Sequence, residues 1–196
     1  AALEPFGVSS AQYQETYPQA LQVRHGEFGY RPEAHVEILA RAGIVFDRAG
    51  ATKALEDVVT NSQGYLYPDT KDFLSRLVGL NVKLIMASRG DREFQMRKIT
   101  SSGVDRFFHA VHTTPQLKVA LFPHILPANA KRVFLIDDSV EELRAVLERY
   151  PEVIPILKRR PDLPPEYFRD VGMMNFATLT EMKDYLTIVH ATSYDR

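Results

Sequence analysis

Two adjacent carboxylates, Asp137 and Asp138, close an apolar run in the stretch KRVFLIDDSVEEL, residues 131–143. Carboxylates held side by side repel each other unless a cation or a proton lies between them. Their oxygens are also the hard ligands that Mg²⁺ prefers in proteins. The acidic pair therefore predicts a cation site. The alternative is that DDS simply caps the helix that follows, since Asp and Ser are both favoured at helix N-caps.

Two other polar residues extend this interpretation. Ser88 ends the apolar stretch VKLIMAS, and Lys118 comes between it and the acidic pair in the chain. A lysine supplies a compact positive charge and a serine a hydroxyl, and backbone N–H groups after Ser88 could bind phosphate oxygens at the next helix start. Arg89 would lie at the mouth of such a site, where its guanidinium could contact substrate. Each residue alone is ordinary, Ser88 as a turn residue and Lys118 as a solvated lysine, but their order indicates phosphoryl chemistry.

The elements that must position these residues alternate between helix and strand from residue 65 onward. Apolar periodicity predicts helices at 68–80, 91–102, 140–149 and 178–189, another after Pro115, and strands at 81–88, 107–113, 132–138 and 153–158. Such alternation, with continuously apolar strands, indicates a Rossmann-like parallel sheet covered by helices on both faces. Sites in these sheets lie beyond the C-terminal ends of the strands, which is where Ser88, Asp137 and Asp138 fall.

The first 64 residues are predicted to be helical. Ser9 and Ser10 are candidate caps for a helix over 11–26, and Pro32 opens a second helix that ends before Gly43. GIVF, residues 43–46, is the only short strand candidate before residue 80. We therefore predict an N-terminal helical, cap-like segment, 1–64, and an α/β core, 65–196.

Composition limits the possible partners. The chain has 196 residues, a formal net charge of −1 and no cysteine. Without a basic patch we expect no nucleic-acid partner, and without cysteine there is no disulfide, thiolate metal site or cysteine nucleophile. No apolar stretch is long enough to span a membrane, and the N-terminal residues lack the order of a signal peptide. These features predict a soluble, cytoplasmic protein with no membrane partner.

Together these residues resemble the haloacid dehalogenase-like (HAD) hydrolase superfamily over residues 65–190. VKLIMAS with Ser88 is similar to the family's second motif, Lys118 to its third, and RVFLIDDSVEEL to its fourth. A receiver domain uses similar residue types, but there the acidic pair comes early in the chain and the lysine last. The order in this sequence favours the HAD resemblance.

The resemblance implies a Rossmann-like core, Mg²⁺ dependence, and phosphoryl transfer from a small phosphorylated substrate through an aspartyl-phosphate. Ser88 would bind the phosphoryl group, and Lys118 would neutralise that group and the nucleophile. Asp138 would be the direct or water-mediated Mg²⁺ ligand, with Asp137 beside it. Glu142 could support the metal shell, or could simply be an acid of the first helical turn.

The family's first motif, an apolar strand followed by Asp-x-Asp, does not occur in the sequence. The nearest candidate nucleophile is Asp47 in GIVFDRAGAT, but Ala49 stands where the second acid would be. Loss of a general acid or base typically costs about 10²–10⁴-fold in rate. The alternative is that residues 1–64 are a cap, that the first strand and its acids lie upstream of Ala1, and that Asp47 is a loop residue or a helix cap.

The sequence thus predicts a HAD-like hydrolase, namely a Mg²⁺-dependent phosphatase of a small phosphorylated metabolite. We expect the chain as given to be inactive, because the nucleophile motif is absent. The alternative is a HAD-like pseudoenzyme, a phosphate- and metal-binding module without catalysis.

Overall fold

The computed structural model describes residues 2–21, 29–127 and 129–192. These residues form two compact units. The first comprises the residues up to Leu66, Ala87–Arg106 and Val111–Gln116, and the second comprises Tyr67–Met86, Phe107–Ala110 and the residues from Leu117 onward.

The fold class is α/β with parallel strands, as predicted. The α-helices of the described chain are α1 (Ser10–Ala20), α2 (Pro32–Arg41), α3 (Arg48–Thr60), α4 (Thr70–Gly79), α5 (Arg92–Ser102), α6 (Phe122–Ile125), α7 (Val140–Arg149) and α8 (Leu179–Ala191). The strands are β1 (Ile85–Arg89), β2 (Ala110–Thr114), β3 (Phe134–Asp137), β4 (Ile154–Lys158) and β5 (Met174–Phe176). In the described ranges, no helix is both long and apolar enough to cross a bilayer.

Local signals in the sequence fix the ends of the first two helices. Ser9 and Gln12 form a capping box at the start of α1, in which each side chain accepts from the other residue's backbone N–H. Pro32 is the first residue of α2, and Gly43 follows that helix at φ +83°, a conformation that favours glycine. The predicted continuation of the first helix over 22–26 lies outside the described residues.

The predicted strand candidate GIVF is not a strand. Gly43 is a turn residue and 44–46 have no regular secondary structure; Ile44 and Phe46 pack on the core of the first unit, while Val45 between them is 97% exposed. That core contains Leu3, Val8, Val36, Leu39, Ala51 and Leu55. The apolar run therefore supplies core contacts without joining a sheet.

A buried polar network accompanies that apolar core. His35 is fully buried; its Nε2 lies 2.8 Å from Thr16 Oγ1 and its Nδ1 lies 3.0 Å from the Tyr30 hydroxyl. Thr16 Oγ1 already donates to the carbonyl of Gln12 at 2.8 Å, so it accepts from Nε2–H, and Nδ1 accepts from Tyr30. Burial lowers the pKa of His35 to about 4. The neutral imidazole is thus fully bonded.

The second unit is built on a parallel sheet with the order β3-β4-β5. Leu135 of β3 and Leu157 of β4 pack with Leu143 of α7, which defines the α7 face of this sheet. Because side chains alternate along a strand, Asp137 shares the α7 face with Leu157, while Ile156 and Lys158 point to the opposite face. The C-terminal ends of β3 and β4 lie side by side, since Asp137 pairs with Leu157.

The structure refines the predicted sheet in three places. The described strands form two sheets, β1-β2 and β3-β4-β5, where we predicted one. The three-residue strand β5 was not predicted. The helix expected after Pro115 is a 3₁₀ segment, Lys118–Leu121, followed by the single turn of α6.

Candidate functional site

Lys118 and Asp137 form an ion pair at the C-terminal end of β3. Lys118 Nζ donates to Asp137 Oδ2, and only 15% of the Lys118 side chain and 3% of the Asp137 side chain are exposed. The other carboxylate oxygen, Oδ1, accepts from the backbone N–H of Ser139 at 3.0 Å. The structure therefore brings the predicted lysine to one of the two predicted acids, and both oxygens of that acid are engaged.

Glu142 positions the segment that carries the lysine. Its side chain is 3% exposed, and its Oε2 accepts from the backbone N–H of Lys118 at 2.7 Å. Since Glu142 lies in the first turn of α7, this bond ties the 3₁₀ segment of Lys118 to the helix that follows β3. Glu142 therefore acts here on the protein backbone.

The capping interpretation of DDS is confirmed for its serine. Ser139 is the N-cap of α7, and its hydroxyl accepts from the backbone N–H of Glu142 at 3.3 Å. One short stretch thus begins a helix and delivers two carboxylates to the end of a strand.

Asp138 comes directly after β3, which ends at Asp137, and is exposed. Continuing the β3–β4 register and the alternation of faces by one residue places Asp138 across from Lys158, on the face opposite Asp137. Burial raises the pKa of the Tyr67 phenol, and the charge of Asp138 raises it further. Burial lowers the pKa of the Lys158 ammonium, while the charges of Asp69 and Asp138 act in the other direction. Asp138, Lys158 and Tyr67 therefore share one electrostatic environment.

Lys158 was missed by the sequence analysis. It is the last residue of β4, is 8% exposed, and holds its Nζ 4.4 Å from the centroid of the Tyr67 ring. The same Nζ donates to the carbonyl of Arg159 at 2.7 Å. The signal was available, because VIPILK was predicted as a strand and the rule that selected Ser88 and Asp137 selects its final lysine as well.

The residues at this end of the sheet do not fit a Mg²⁺ ion shared by Asp137 and Asp138. Asp137 is paired with Lys118, and Asp138 has two other cations, Lys158 and Arg160, within electrostatic range. In the part of the chain that the structure describes, no three Asp, Glu, His or Cys side chains converge on a point that could hold a metal. A metal at Asp137 would compete with the Lys118 ammonium, which already pairs with that carboxylate.

Ser88 and Arg89 lie at the end of β1 and belong to the first unit. The Ser88 hydroxyl donates to Gln95 Oε1 at 3.0 Å, and Gln95 is 8% exposed. Between them, Gly90 adopts φ +141°, and a Cβ there would lie 2.6 Å from Gln95 Nε2. Because Gly90 has no Cβ, Gln95 has room to accept the hydrogen bond from the Ser88 hydroxyl.

The helix start after Ser88 is already capped by a carboxylate. Asp91 is the N-cap of α5 and accepts from the backbone N–H of Phe94 at 2.9 Å. The sequence predicts free backbone N–H groups here for phosphate oxygens. The Asp91 carboxylate takes one of them and adds a negative charge, because it is the residue that begins the helix.

Asp47 is a helix cap. Its side chain accepts from the backbone N–H of Gly50 at 3.1 Å at the start of α3, and no strand precedes it within 29–66. Ala49 occupies the position of the second acid of the first motif. This geometry favours the cap alternative over the nucleophile.

Comparison with known proteins gives structural matches only. No protein-family model and no curated protein sequence matches the chain. A dehalogenase solved as an intermediate complex matches with a TM-score of 0.68 at 18% identity, over 91% of this chain and 85% of that one. A haloacid dehalogenase-like family hydrolase from Xanthomonas campestris matches with a TM-score of 0.63 at 13% identity, over 99% and 82% of the two chains.

A third match carries a metal. It is a Bacillus subtilis protein described as a HAD hydrolase and crystallised with magnesium, with a TM-score of 0.61 at 15% identity, over 94% of this chain and 87% of that one. At these identities the likeness shows the fold. The chain has the α/β fold of the HAD superfamily, as the motifs indicated.

Proposed function

We propose that the protein is a hydrolase of HAD-like fold whose strand-end site binds the anionic group of a small phosphorylated molecule. The observation that carries the proposal is the position of Lys118, whose ammonium is held against Asp137 at the C-terminal end of β3. Its backbone is fixed independently by Glu142. A cation fixed in this way is a preorganised contact for an oxyanion, because little rearrangement is needed when the ligand arrives.

Ser88 and Arg89 belong to the proposal through the family resemblance. Ser88 would bind the phosphoryl group and Arg89 would contact the rest of the substrate. The hydrogen bond to Gln95 supports a role for Ser88, since it holds the hydroxyl in one orientation. A phosphate oxygen would take that proton in place of Gln95 Oε1.

The nucleophile is the missing part of the proposed machinery. The resemblance implies an apolar strand ending in Asp-x-Asp, which these 196 residues do not contain. In the described chain β3 pairs with β4 and with no other strand, and Ile154 N donates to Val133 O, so the peptide groups of Phe134 and Ile136 point away from β4. A parallel strand added there would end beside Asp137. The sequence encoded upstream of Ala1 checks this part of the proposal.

A second function fits the same residues. A HAD-like pseudoenzyme would bind the phosphorylated molecule without hydrolysing it. The engagement of Asp47 as a helix cap and the presence of Ala49 favour this alternative for the chain as given.

Magnesium is the part of the family pattern that the residues fit least. The Bacillus subtilis protein was crystallised with magnesium, and bound Mg²⁺ would supply positive charge to phosphate oxygens. Here the Lys118 ammonium already pairs with Asp137. If Mg²⁺ alone raises the melting temperature and Asp138→Ala removes that rise, Asp138 is a metal ligand after all.

The central experiment combines turnover with ligand binding. We expect negligible hydrolysis of p-nitrophenyl phosphate by the chain as given, with or without Mg²⁺. Inorganic phosphate at millimolar concentration should raise the melting temperature, because it binds the folded state, and Lys118→Met should reduce that rise. Robust turnover that Asp47→Asn abolishes would make Asp47 the nucleophile. A melting temperature that phosphate leaves unchanged would contradict the proposed binding site.

A further inference from the structure

Two lysines, Lys118 and Lys158, lie near the strand-end acids Asp137 and Asp138, one on each face of the sheet. Lys118 forms a direct ion pair with Asp137. Lys158, on the opposite face, forms no ion pair with any described residue. The two faces therefore differ in charge balance, since only one of the two buried ammonium groups has a carboxylate in contact.

Burying an ammonium group without a carboxylate is unfavourable unless other groups compensate it. Lys158 is 8% exposed, and the polar contact of its Nζ is the carbonyl of Arg159 at 2.7 Å. The Tyr67 ring at 4.4 Å adds a cation–π contact. An ammonium has three N–H donors, so two of them have no hydrogen-bond acceptor among the described residues.

The acids around Lys158 are engaged elsewhere, with one exception. Asp69 accepts from the backbone N–H and the hydroxyl of Thr180. Glu181 accepts from the backbone N–H groups of Ala177 and Thr178. Asp138 is exposed and accepts no hydrogen bond from any described residue, and its charge reaches Lys158 without contact. The Lys158 ammonium therefore lacks a contacting anion in the described chain, and a ligand oxyanion would supply one.

We propose that Lys158 binds an oxyanion of the ligand on the Asp138 side of the strand ends, and that this contact makes ligand binding independent of a divalent cation. The inference rests on the proposed function, because it assigns a second cation, besides Lys118, at the same strand ends. Tyr67, whose ring contacts Lys158, can donate a hydrogen bond to the same oxyanion. Its phenol stays protonated, because burial raises its pKa. Asp138 competes with the ligand for the ammonium.

The test measures binding of inorganic phosphate by calorimetry to the full chain in the presence of EDTA. Phosphate should bind without Mg²⁺, and Lys158→Met should weaken binding about tenfold or more, because a charge-assisted hydrogen bond is lost. Lys131→Met is the matched control: Lys131 is exposed and precedes β3 at the opposite end of the same sheet. It should leave the affinity unchanged. Asp138→Asn should tighten binding, since it removes the competing carboxylate.

Two outcomes overturn the inference and are distinguishable from failure of the proposed function. Phosphate binding that requires Mg²⁺, or that Lys158→Met and Lys131→Met affect equally, contradicts a role for Lys158 while the site itself stands. If the wild type binds no phosphate with or without Mg²⁺, the proposed function fails and the inference with it. Should Lys158→Met not fold, Lys158→Gln keeps a polar group and a similar length, and the same comparison applies.

Discussion

The backbone N–H of Lys118 donates a hydrogen bond of 2.7 Å to Glu142 Oε2, which joins the lysine segment to the helix that begins after the acidic pair. The bond is buried and links positions 24 residues apart in sequence. It explains how a lysine in a short 3₁₀ segment reaches a fixed place beside Asp137. The contribution of this hydrogen bond can therefore be measured both through the free energy of unfolding and through ligand affinity.

Glu142→Ala should destabilise the protein by about 1–3 kcal/mol, because it leaves the Lys118 N–H buried without an acceptor. Glu142→Gln should restore most of that loss, since the amide oxygen of glutamine can accept the same hydrogen bond. Urea unfolding followed by circular dichroism measures both variants. Equal losses for Ala and Gln would show that the charge of Glu142 matters and the hydrogen bond does not.

Lys118→Met should destabilise the fold by about 3–5 kcal/mol, because it leaves the nearly buried Asp137 carboxylate without its partner. The control is Arg169→Ala, which removes the exposed pair with Glu166, whose side chains are 73% and 63% exposed. That pair should contribute less than about 1 kcal/mol. Comparable losses in urea unfolding would contradict a special role for the buried pair.

Gly90→Ala should destabilise the protein by about 1–3 kcal/mol, because alanine is strained at φ +141° and its Cβ would meet Gln95. Displacing Gln95 also removes the acceptor of the Ser88 hydroxyl. Gly79→Ala is the opposite case, since it lies in α4 with nothing within 4 Å of an added Cβ. That change should stabilise by about 0.5–1 kcal/mol. Thermal unfolding of the two variants should shift in opposite directions.

Acid should destabilise the first unit through His35. The pKa of His35 is about 4 in the folded protein, against 6.5 as the ordinary value, so between these two values the unfolded chain binds more protons. Stability from this group is therefore complete above about pH 6.5 and falls by about 3 kcal/mol as the pH approaches 4. His35→Leu should flatten this part of the pH profile in urea unfolding. An unchanged slope would assign the acid sensitivity to carboxylates.

The ends of apolar strands could be read from the sequence, and so could the residues they deliver. The stretch RVFLIDD predicts β3 and places Asp137 at its C-terminal end, where Lys118 meets it. The same rule applied to VIPILK would have found Lys158. What composition could not show is the loop geometry at Gly90, on which the partner of Ser88 depends.

The two members of the acidic pair have different environments in the structure. Asp137 ends β3 and is buried beside Lys118, whereas Asp138 follows the strand and is exposed. The pattern of period two is visible in the sequence, but which acid is buried depends on where Lys118 and α7 pack. The strand β5 escaped detection because three residues carry too little periodicity to identify a strand.

The edge of β3 that does not pair with β4 bears on the aggregation of the purified protein. Its residues Phe134, Leu135 and Ile136 are apolar, and no lysine, proline or bulge within the strand discourages pairing. Unless the added strand proposed above pairs with it, such an edge can template a strand from a neighbouring molecule. A charged residue at Ile136 would act as a gatekeeper against this association, in the same strand that carries the site.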